Sequence, residues 1–183
     1  MKNAMLDTIV DYMQTQGYPY YIITHRQPTV TIAQKQGLIE RFPDDYAGLL
    51  PVVIVQGSLL CYNNGDSQHI LAYFHDGAKR INFRELKRQL KIPKKHDLVF
   101  CRGNLQQIVG SPEIEAGAVS VINTLIPSIE ASCFDRSLIE DAALKPSQLY
   151  DIAITLSSSL FANISCVYEA LMHADIGEKI RLV

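Results

Sequence analysis

The sequence predicts one α/β domain whose central mixed β-sheet is flanked by short helices. Predicted strands and short helices alternate irregularly along the 183 residues. A Gly-Asp turn joins two strands as a hairpin, whereas a doubly wound fold would repeat a strand–helix–strand rhythm. With 48% hydrophobic and 20% charged residues, the chain is long enough and apolar enough to bury one core. We therefore expect residues 1–183 to form a single domain, with residues 1–17 as an appended N-terminal helix.

The first fifty residues predict a helix, a short strand and a second helical segment. Asn3 can cap the first helix, whose apolar residues recur at helical spacing until Gly17 ends it. The β-prone run Tyr20–Thr24 follows. Residues 31–37 are helical or turn-forming, and residues 39–50 predict a loop because they contain a proline, two adjacent aspartates and a glycine.

A β-hairpin dominates the middle of the sequence. Residues 52–56 and 68–74 predict its strands, and Gly65 and Asp66 mark its turn. Asn82 then caps a short helix that runs through Lys91. Two smaller elements come next, a strand at residues 97–101 and a helical turn at residues 104–109 that Gly110 closes.

The stretch from residue 113 to residue 140 predicts the floor of a pocket. It contains a glycine-containing loop at residues 117–120 and a strand, Ile129–Phe134, that ends on Asp135. A glycine lets the backbone approach a ligand, and a strand end can present an acid beside it. The remaining elements are strands at residues 150–156 and 160–164 and a helix at residues 166–173.

Several classes of protein are excluded or disfavoured. No apolar run approaches the roughly 18 residues that span a bilayer, and the N-terminus has no signal-peptide core. The four cysteines form no Cys-x-x-Cys pair, and the five histidines lack the spacing of metal ligands. We therefore expect a cytoplasmic protein with no membrane span, no metal and no cofactor.

Positive charge is concentrated in one segment of a chain whose net charge is −2. Eight basic residues fall within seventeen positions, against the single acid Glu85. Such a patch can hold the phosphates of a tRNA acceptor stem, and a solvated helix face explains the same charges equally well. The eight residues are Lys79, Arg80, Arg84, Lys87, Arg88, Lys91, Lys94 and Lys95.

The order of these features from about residue 20 to residue 175 resembles the YbaK/prolyl-tRNA editing domain family. The resemblance rests on the strand before His25-x-x-Pro28, the hairpin before a basic helix, and the loop at Gly117. It continues through the Asp-Arg-Ser-Leu run at Asp135 and the closing strands up to Asn163. The resemblance implies the family's mixed-sheet fold. It also implies metal-independent, trans-acting hydrolysis of mischarged aminoacyl-tRNA, with the tRNA acceptor end as partner.

Two positions depart from the family pattern. The family places a functional lysine at the start of the strand that corresponds to residues 51–56, yet no lysine lies between Lys35 and Lys79. Val121 stands where the family's loop has a proline, although Gly117 is present. The sequence therefore resembles a diverged member of the family.

The resemblance and the chemistry of ester hydrolysis assign roles to six residues. Amides of residues 117–120 are suited to stabilising an oxyanion, so Gly117 and Ser120 are candidate catalytic residues. Asp135 is the third, because it can bind the substrate's amino group or orient a water molecule; an Asp that only caps the following turn is the alternative. The candidate substrate-binding residues are His25, Asn123 and Asn163. A structural or surface histidine is the alternative for His25, and hydrogen bonds to the local backbone are the alternative for Ser120 and Asn123.

Two further functions remain open. A catalytically inactive member could serve as a tRNA-binding or regulatory module of the same fold, alone or in a larger protein. A small-molecule binding domain could also reuse the fold, because fold does not fix function.

Overall fold

We analysed a computed structural model that describes residues 4–65, 67–112, 114, 119–174 and 176–183. Within these residues the chain forms a mixed α/β fold with one large sheet. The helices are α1 (Ala4–Gln16), α2 (Ile32–Arg41), α3 (Phe83–Gln89), α4 (Leu105–Val109), α5 (Arg136–Ala143) and α6 (Ile164–His173). Short 3₁₀ turns lie at Pro43–Tyr46, Val121–Leu125 and Gly177–Lys179.

Eight strands form the sheet in the described residues. They are β1 (Tyr20–Thr24), β2 (Val52–Asn64), β3 (Ser67–Asp76), β4 (Val99–Phe100), β5 (Ile129–Phe134), β6 (Leu149–Thr155), β7 (Ser158–Ala162) and β8 (Ile180–Leu182). The order is β1-β7-β6-β2-β3-β5-β8, with β4 paired to part of β2. The pairs β2–β6, β3–β5 and β5–β8 are parallel and the others antiparallel, which confirms the prediction of a mixed sheet with hairpin connections.

Several elements are longer than the sequence predicted. The capping box of Thr31 and Gln34 starts α2, which continues to Arg41 because Leu38 and Ile39 are buried on the same face as Lys35. Part of the predicted loop at residues 39–50 is therefore helical. Strand β2 passes through Gly57 and reaches Asn64, since pairing with β3 continues along its second half.

The C-terminal half also differs from the prediction at two points. The run after Asp135 forms α5 rather than a simple turn, because the Asp135 carboxylate caps the helix and Leu138 and Ile139 are buried against the sheet. Strand β8 was not predicted. It is three residues long, and it pairs with β5, which is far from it in sequence.

Helices α1, α5 and α6 cover one face of the sheet, and α2 and α3 lie against the other. The alternation along β3 shows the two faces: Ile70 and Phe74 pack in the cluster that contains α1 and α6, whereas Leu71 and Tyr73 pack with Leu86 of α3. A third apolar cluster, on the face of α2, joins Ile39, Tyr46, Leu49 and Phe161.

Strands β2 and β6 separate in the middle of the sheet. Their parallel ladder pairs Val52–Val55 with residues 149–152 and then stops, after which β2 continues beside β3 and β6 continues beside β7. The segment at Val119 crosses this opening. A Cβ on Gly57 would lie 1.9 Å from the Val119 carbonyl oxygen, so only glycine allows the two backbones to come this close.

Candidate active site

A pocket of about 350 Å³ opens where β2 and β6 separate; we call it the split pocket. Its walls come from the first turn of α2, the middle of β2, the end of β6 and the crossing segment. The lining residues are 29–33, Lys35, 54–57, Val119, Asp151, Ala153 and Thr155. A crevice beyond the carboxyl ends of parallel strands is a common position for a ligand site, because the backbone groups there are no longer paired in a ladder.

Lys35 places a buried ammonium group at the wall of the split pocket. Its side chain is 8% exposed. The Nζ atom lies 2.8 Å from His25 Nε2, 2.6 Å from Ser159 Oγ and 3.2 Å from Asp151 Oδ1. These three contacts match the three N–H donors of a lysine ammonium, so the charge is fully hydrogen-bonded.

The ion pair between Lys35 and Asp151 offsets the cost of burying both charges. Burial lowers the pKa of Lys35, while the charge of Asp151 and the hydrogen bond from Lys35 to it act in the opposite direction. The attraction between two opposite charges is stronger inside a protein than in water, so the carboxylate of Asp151 favours the charged form of Lys35.

His25 holds the other side of Lys35. Burial, followed by the nearby Lys35 charge, lowers the pKa of His25 to about 4 despite the opposing effect of Asp151. The imidazole is therefore neutral at neutral pH. Its Nε2 accepts from Lys35, so Nδ1 carries the proton and donates to the Tyr46 hydroxyl at 2.9 Å. We call His25, Lys35, Tyr46, Asp151 and Ser159 the Lys35 cluster.

Asp151 brings to this site one carboxylate oxygen that no donor in the described part of the chain contacts. Strand alternation turns Tyr150 and Ile152 toward α1 and α6, and therefore turns Asp151 toward α2. The residue is 1% exposed, and Oδ1 is bonded to Lys35. Among the described residues, Asp151 Oδ2 has no hydrogen-bond partner. A buried carboxylate oxygen with a free lone pair is suited to accept from a ligand's ammonium or hydroxyl group.

The N-terminus of α2 adds backbone polarity to the same pocket. The Thr31 hydroxyl accepts from the Gln34 amide, and the Gln34 side chain accepts from the amides of Val30 and Thr31. This capping box fixes the first turn, including Ile32 and Ala33, at the pocket wall. The positive end of the helix dipole favours negative charge at this position.

The structure places the sequence-predicted site residues in different parts of the molecule. His25 belongs to the Lys35 cluster. Ser120 and Asn123 form a capping box beside the split pocket, in which the Ser120 amide donates to Asn123 Oδ1 at 2.7 Å and the Ser120 hydroxyl donates to the Ala153 carbonyl. The Ser120 amide is therefore engaged within the fold. Gly117 lies outside the described residues.

Asp135 does not line the split pocket but lies in a second pocket, described below. It caps α5 by accepting from the Ser137 amide at 2.8 Å, and it accepts from the Tyr73 hydroxyl at 2.9 Å. Burial tends to raise the pKa of Asp135, but the hydrogen bonds from Ser137, Tyr73 and Leu138 outweigh it and hold the pKa below its usual value.

Asn163 ties together the end of β7 and a neighbouring loop. Its side-chain oxygen accepts from the Ser165 amide at 2.9 Å and so caps α6. Its side-chain NH₂ group donates to the carbonyls of Ala142 and Lys145 at 3.1 and 3.0 Å. The side chain is buried, and it is not among the residues that line the split pocket.

The eight basic residues lie on and around α3, outside the split pocket. Three of them are partly engaged: Lys87 donates to the carbonyls of Lys94 and His96, Arg88 pairs with Glu85, and Lys79 lies 3.8 Å from Asp141. Lys79 and Arg80 line the second pocket, which also contains Asp135.

Sequence reasoning missed Lys35, Asp151 and Ser159. The family pattern places its lysine at the start of β2, whereas this protein brings a lysine to the pocket from α2. A signal was present in the sequence, since Lys35 lies on the same helical face as Ile32, Leu38 and Ile39. Asp151 interrupts the apolar run of β6 in the same way. Charged residues on apolar faces are costly unless they have buried partners.

The described part of the chain has neither a metal-binding cluster nor a membrane-spanning helix. No group of three or more His, Cys, Asp or Glu residues there could hold a metal ion. No described helix combines the length and apolarity that crossing a bilayer requires.

Comparison with known proteins supports the fold. No protein-family model matches the sequence, and no curated protein matches it. A solved structure, named "Crystal structure of hypothetical protein APE2540", aligns with a TM-score of 0.60 and 18% identity over 96% of this chain and 97% of that one. At this identity the likeness shows a shared fold alone. The chain is thus a mixed α/β protein with a polar pocket at the split of its central sheet.

Proposed function

We propose that this protein is a diverged aminoacyl-tRNA deacylase of the YbaK/prolyl-tRNA editing type, which acts in trans on mischarged tRNA. The observation that carries the proposal is the buried Lys35–Asp151 pair at the wall of the split pocket. This sequence lacks the family's lysine at the start of β2. Lys35 supplies an ammonium group from α2 to a pocket that β2 also lines. The missing charge is thereby replaced from another element.

The two charges suit the two polar ends of an aminoacyl ester. The substrate's ammonium group can donate to Asp151 Oδ2, whose partner Oδ1 is held by Lys35. Negative charge that develops on the ester oxygen during attack by water is stabilised by the electric field of the Lys35 charge, whose N–H donors stay with His25, Ser159 and Asp151, and by the positive end of α2. Neutral His25 and Ser159 orient Lys35, since each contacts its Nζ within 2.8 Å.

The earlier assignments retain specific roles in this proposal. Ser120 and Asn123 fix the segment that crosses the opening, and they hold Val119 against Gly57 at the pocket floor. Gly117 remains the proposed source of a further oxyanion-binding amide. Asp135 and Asn163 do not line the split pocket, so this proposal gives them no contact with the reacting ester.

The proposal is tested by deacylation of a panel of charged tRNAs at low salt, beginning with Ala-, Cys-, Ser- and Pro-tRNA. We expect turnover of one member of the panel and a loss of about 100-fold in Lys35→Met, because a preorganised charge at the oxyanion is removed. The matched control is Lys145→Met, an exposed lysine outside the split pocket. Asp135→Ala in the same assay shows which pocket carries the activity, because Asp135 lines only the second pocket. Turnover that is retained in this variant assigns the activity to the split pocket. Absence of turnover across the whole panel would contradict the proposal.

A second function is favoured by the position of the basic segment. The α3 region carries its charges outside the split pocket, where they could hold RNA phosphates without any chemistry. The alternative is therefore a catalytically inactive tRNA-binding or regulatory module of the same fold. Retention of tRNA on a filter, with no deacylation and with loss of binding as salt rises, would establish this alternative.

A further inference from the structure

A second pocket lies at the carboxyl ends of the parallel strands β3 and β5; we call it the His75 pocket. Its volume is about 320 Å³. The walls come from the end of β3, the segment before α3 and the first turn of α5. His75 and Gln56 are paired across β3 and β2, so this pair lies between the His75 pocket and the split pocket.

His75 presents a buried acceptor to this pocket. Its Nδ1 lies 2.9 Å from the Asp76 carbonyl oxygen, which can only accept, so Nδ1 carries the proton. Burial lowers the pKa of His75, which favours the neutral ring. Nε2 therefore holds a lone pair. His75 is 4% exposed, and Nε2 has no hydrogen-bond partner in the described part of the chain.

The Tyr73 ring fixes the orientation of this imidazole. The two rings stack with centroids 5.4 Å apart, and the Tyr73 hydroxyl is held by Asp135. Nε2 therefore cannot turn toward another protein group without breaking both the stack and the Nδ1 hydrogen bond. An acceptor held in this way is complementary to a donor that arrives with a ligand, and the pocket is roughly ten times the volume that one water occupies in the liquid.

Basic groups around the His75 pocket come from two segments. Lys79 and Arg80 precede α3, and Arg136 begins α5. Two of the acids that line the pocket are already engaged, since Asp135 accepts from Tyr73 and Ser137, and Glu85 pairs with Arg88. Glu140 also lines it. Arg80 and Arg136 are exposed and line the same pocket, so an anion in the pocket can contact both guanidinium groups.

We propose that the His75 pocket binds a sugar phosphate, with a sugar hydroxyl donating to His75 Nε2 and the phosphate held by Arg80 and Arg136. Each half of this ligand answers one observation. The buried lone pair needs a hydrogen-bond donor, and a sugar hydroxyl supplies one. Two arginines that line the pocket favour a phosphate, because one guanidinium group can donate two parallel hydrogen bonds to two phosphate oxygens. This proposal does not rest on the deacylase function, because the pocket shares no lining residue with the split pocket.

The experiment is a calorimetric titration of the full chain with ribose 5-phosphate, alongside inorganic phosphate and ribose. We expect saturable binding of ribose 5-phosphate, weaker binding of phosphate and none of ribose. His75→Phe keeps a ring to stack on Tyr73 but removes the acceptor, so it should weaken ribose 5-phosphate binding about tenfold or more, equivalent to one lost hydrogen bond. Arg80→Gln, at an exposed position, should weaken both ribose 5-phosphate and inorganic phosphate.

His69→Phe is the matched control. His69 lies on the same strand and stacks on Tyr62 with centroids 4.6 Å apart, but it pairs with Glu130 and does not line the pocket. It should leave the affinity unchanged. The proposal is overturned if ribose 5-phosphate does not bind, if it binds no more tightly than inorganic phosphate, or if folded His75→Phe and Arg80→Gln both bind as the wild type does. Loss of binding in folded Lys35→Met but not in Arg80→Gln would place the ligand in the split pocket and overturn the proposal as well.

Discussion

His25 illustrates how one residue acquires its properties from residues distant in sequence. Strand β1 delivers it to the sheet edge, where Tyr46, Lys35 and Ser159 surround the ring. A histidine after a strand can be identified from the sequence as a candidate. Its neutral state cannot, because the lowered pKa depends on burial and on a lysine from α2. The same environment makes the protein sensitive to acid.

The pKa of His25 predicts a loss of stability in mild acid. In the folded protein the pKa is about 4, below its ordinary value of 6.5, so the unfolded chain binds the proton more readily between these two values. The contribution is fully present above pH 6.5 and decreases as the pH falls toward 4, by about 3 kcal/mol in total.

Urea unfolding of the wild type and of His25→Gln from pH 7.5 to pH 4 measures this contribution. His25→Gln keeps a neutral polar side chain but removes the titrating imidazole, so its free energy of unfolding should depend less on pH over this range. Lys35, Asp151 and Tyr46 face the site in both proteins, so their contributions cancel in the comparison. Parallel curves for the two proteins would show that His25 does not titrate as proposed.

At the scale of elements, the close approach of β2 to the crossing segment defines the floor of the split pocket. Gly57 has no side chain to separate the two backbones, and the Val119 carbonyl occupies the space that a Cβ would need. Glycine in a strand interior ordinarily weakens it, so its presence here indicates a packing requirement. Sequence reasoning expected β2 to end at Gln56, just before this glycine.

We predict that Gly57→Ala destabilises the fold by about 2 kcal/mol or more and distorts the split pocket, because backbone rather than a flexible side chain must move. Gly37→Ala is the matched control. Gly37 is exposed within α2 and a Cβ there meets nothing within 4 Å, so this change should stabilise the protein by about 0.5–1 kcal/mol. Thermal and urea unfolding of both variants measure the difference, and equal effects would contradict the assignment.

At the scale of the whole molecule, the Lys35–Asp151 pair joins α2 to the centre of the sheet. The two residues are 116 positions apart in the chain, and both are almost fully buried. Removal of one partner leaves an uncompensated buried charge, whereas removal of both leaves none. The pair therefore couples two distant parts of the chain.

We predict that Lys35→Met and Asp151→Leu each lower the free energy of unfolding by about 3–5 kcal/mol. The double variant should lose much less than the sum, because its pocket wall contains no unpaired charge. Urea unfolding of the four proteins at neutral pH gives the coupling energy. Additive losses would mean that the two side chains do not interact, and Lys145→Met should fall within about 0.5 kcal/mol of the wild type.

The sequence by itself determined the kind of fold and most of its elements. Local signals were sufficient for this: the cap at Asn82, the turn at Gly65 and the apolar runs of β3 and β5 act over a few residues. The position of His25 after β1 followed from the same signals. Strand β8 and the second half of β2 did not follow from these signals. Strand β8 is stabilised by pairing with β5, which is remote in the chain, and β2 is interrupted by Gly57 before its second half, which pairs with β3.

Only the tertiary structure decided which polar residues meet. Lys35 comes from α2, Asp151 from β6 and Ser159 from β7. Nothing in their local sequences indicates that the three side chains meet on one face of the sheet. The structure also separates Asp135 from the split pocket and joins it with His75 in another. Side-chain chemistry is encoded at each position, but a site is created by strand order and register, which depend on pairings between residues that are remote in the chain.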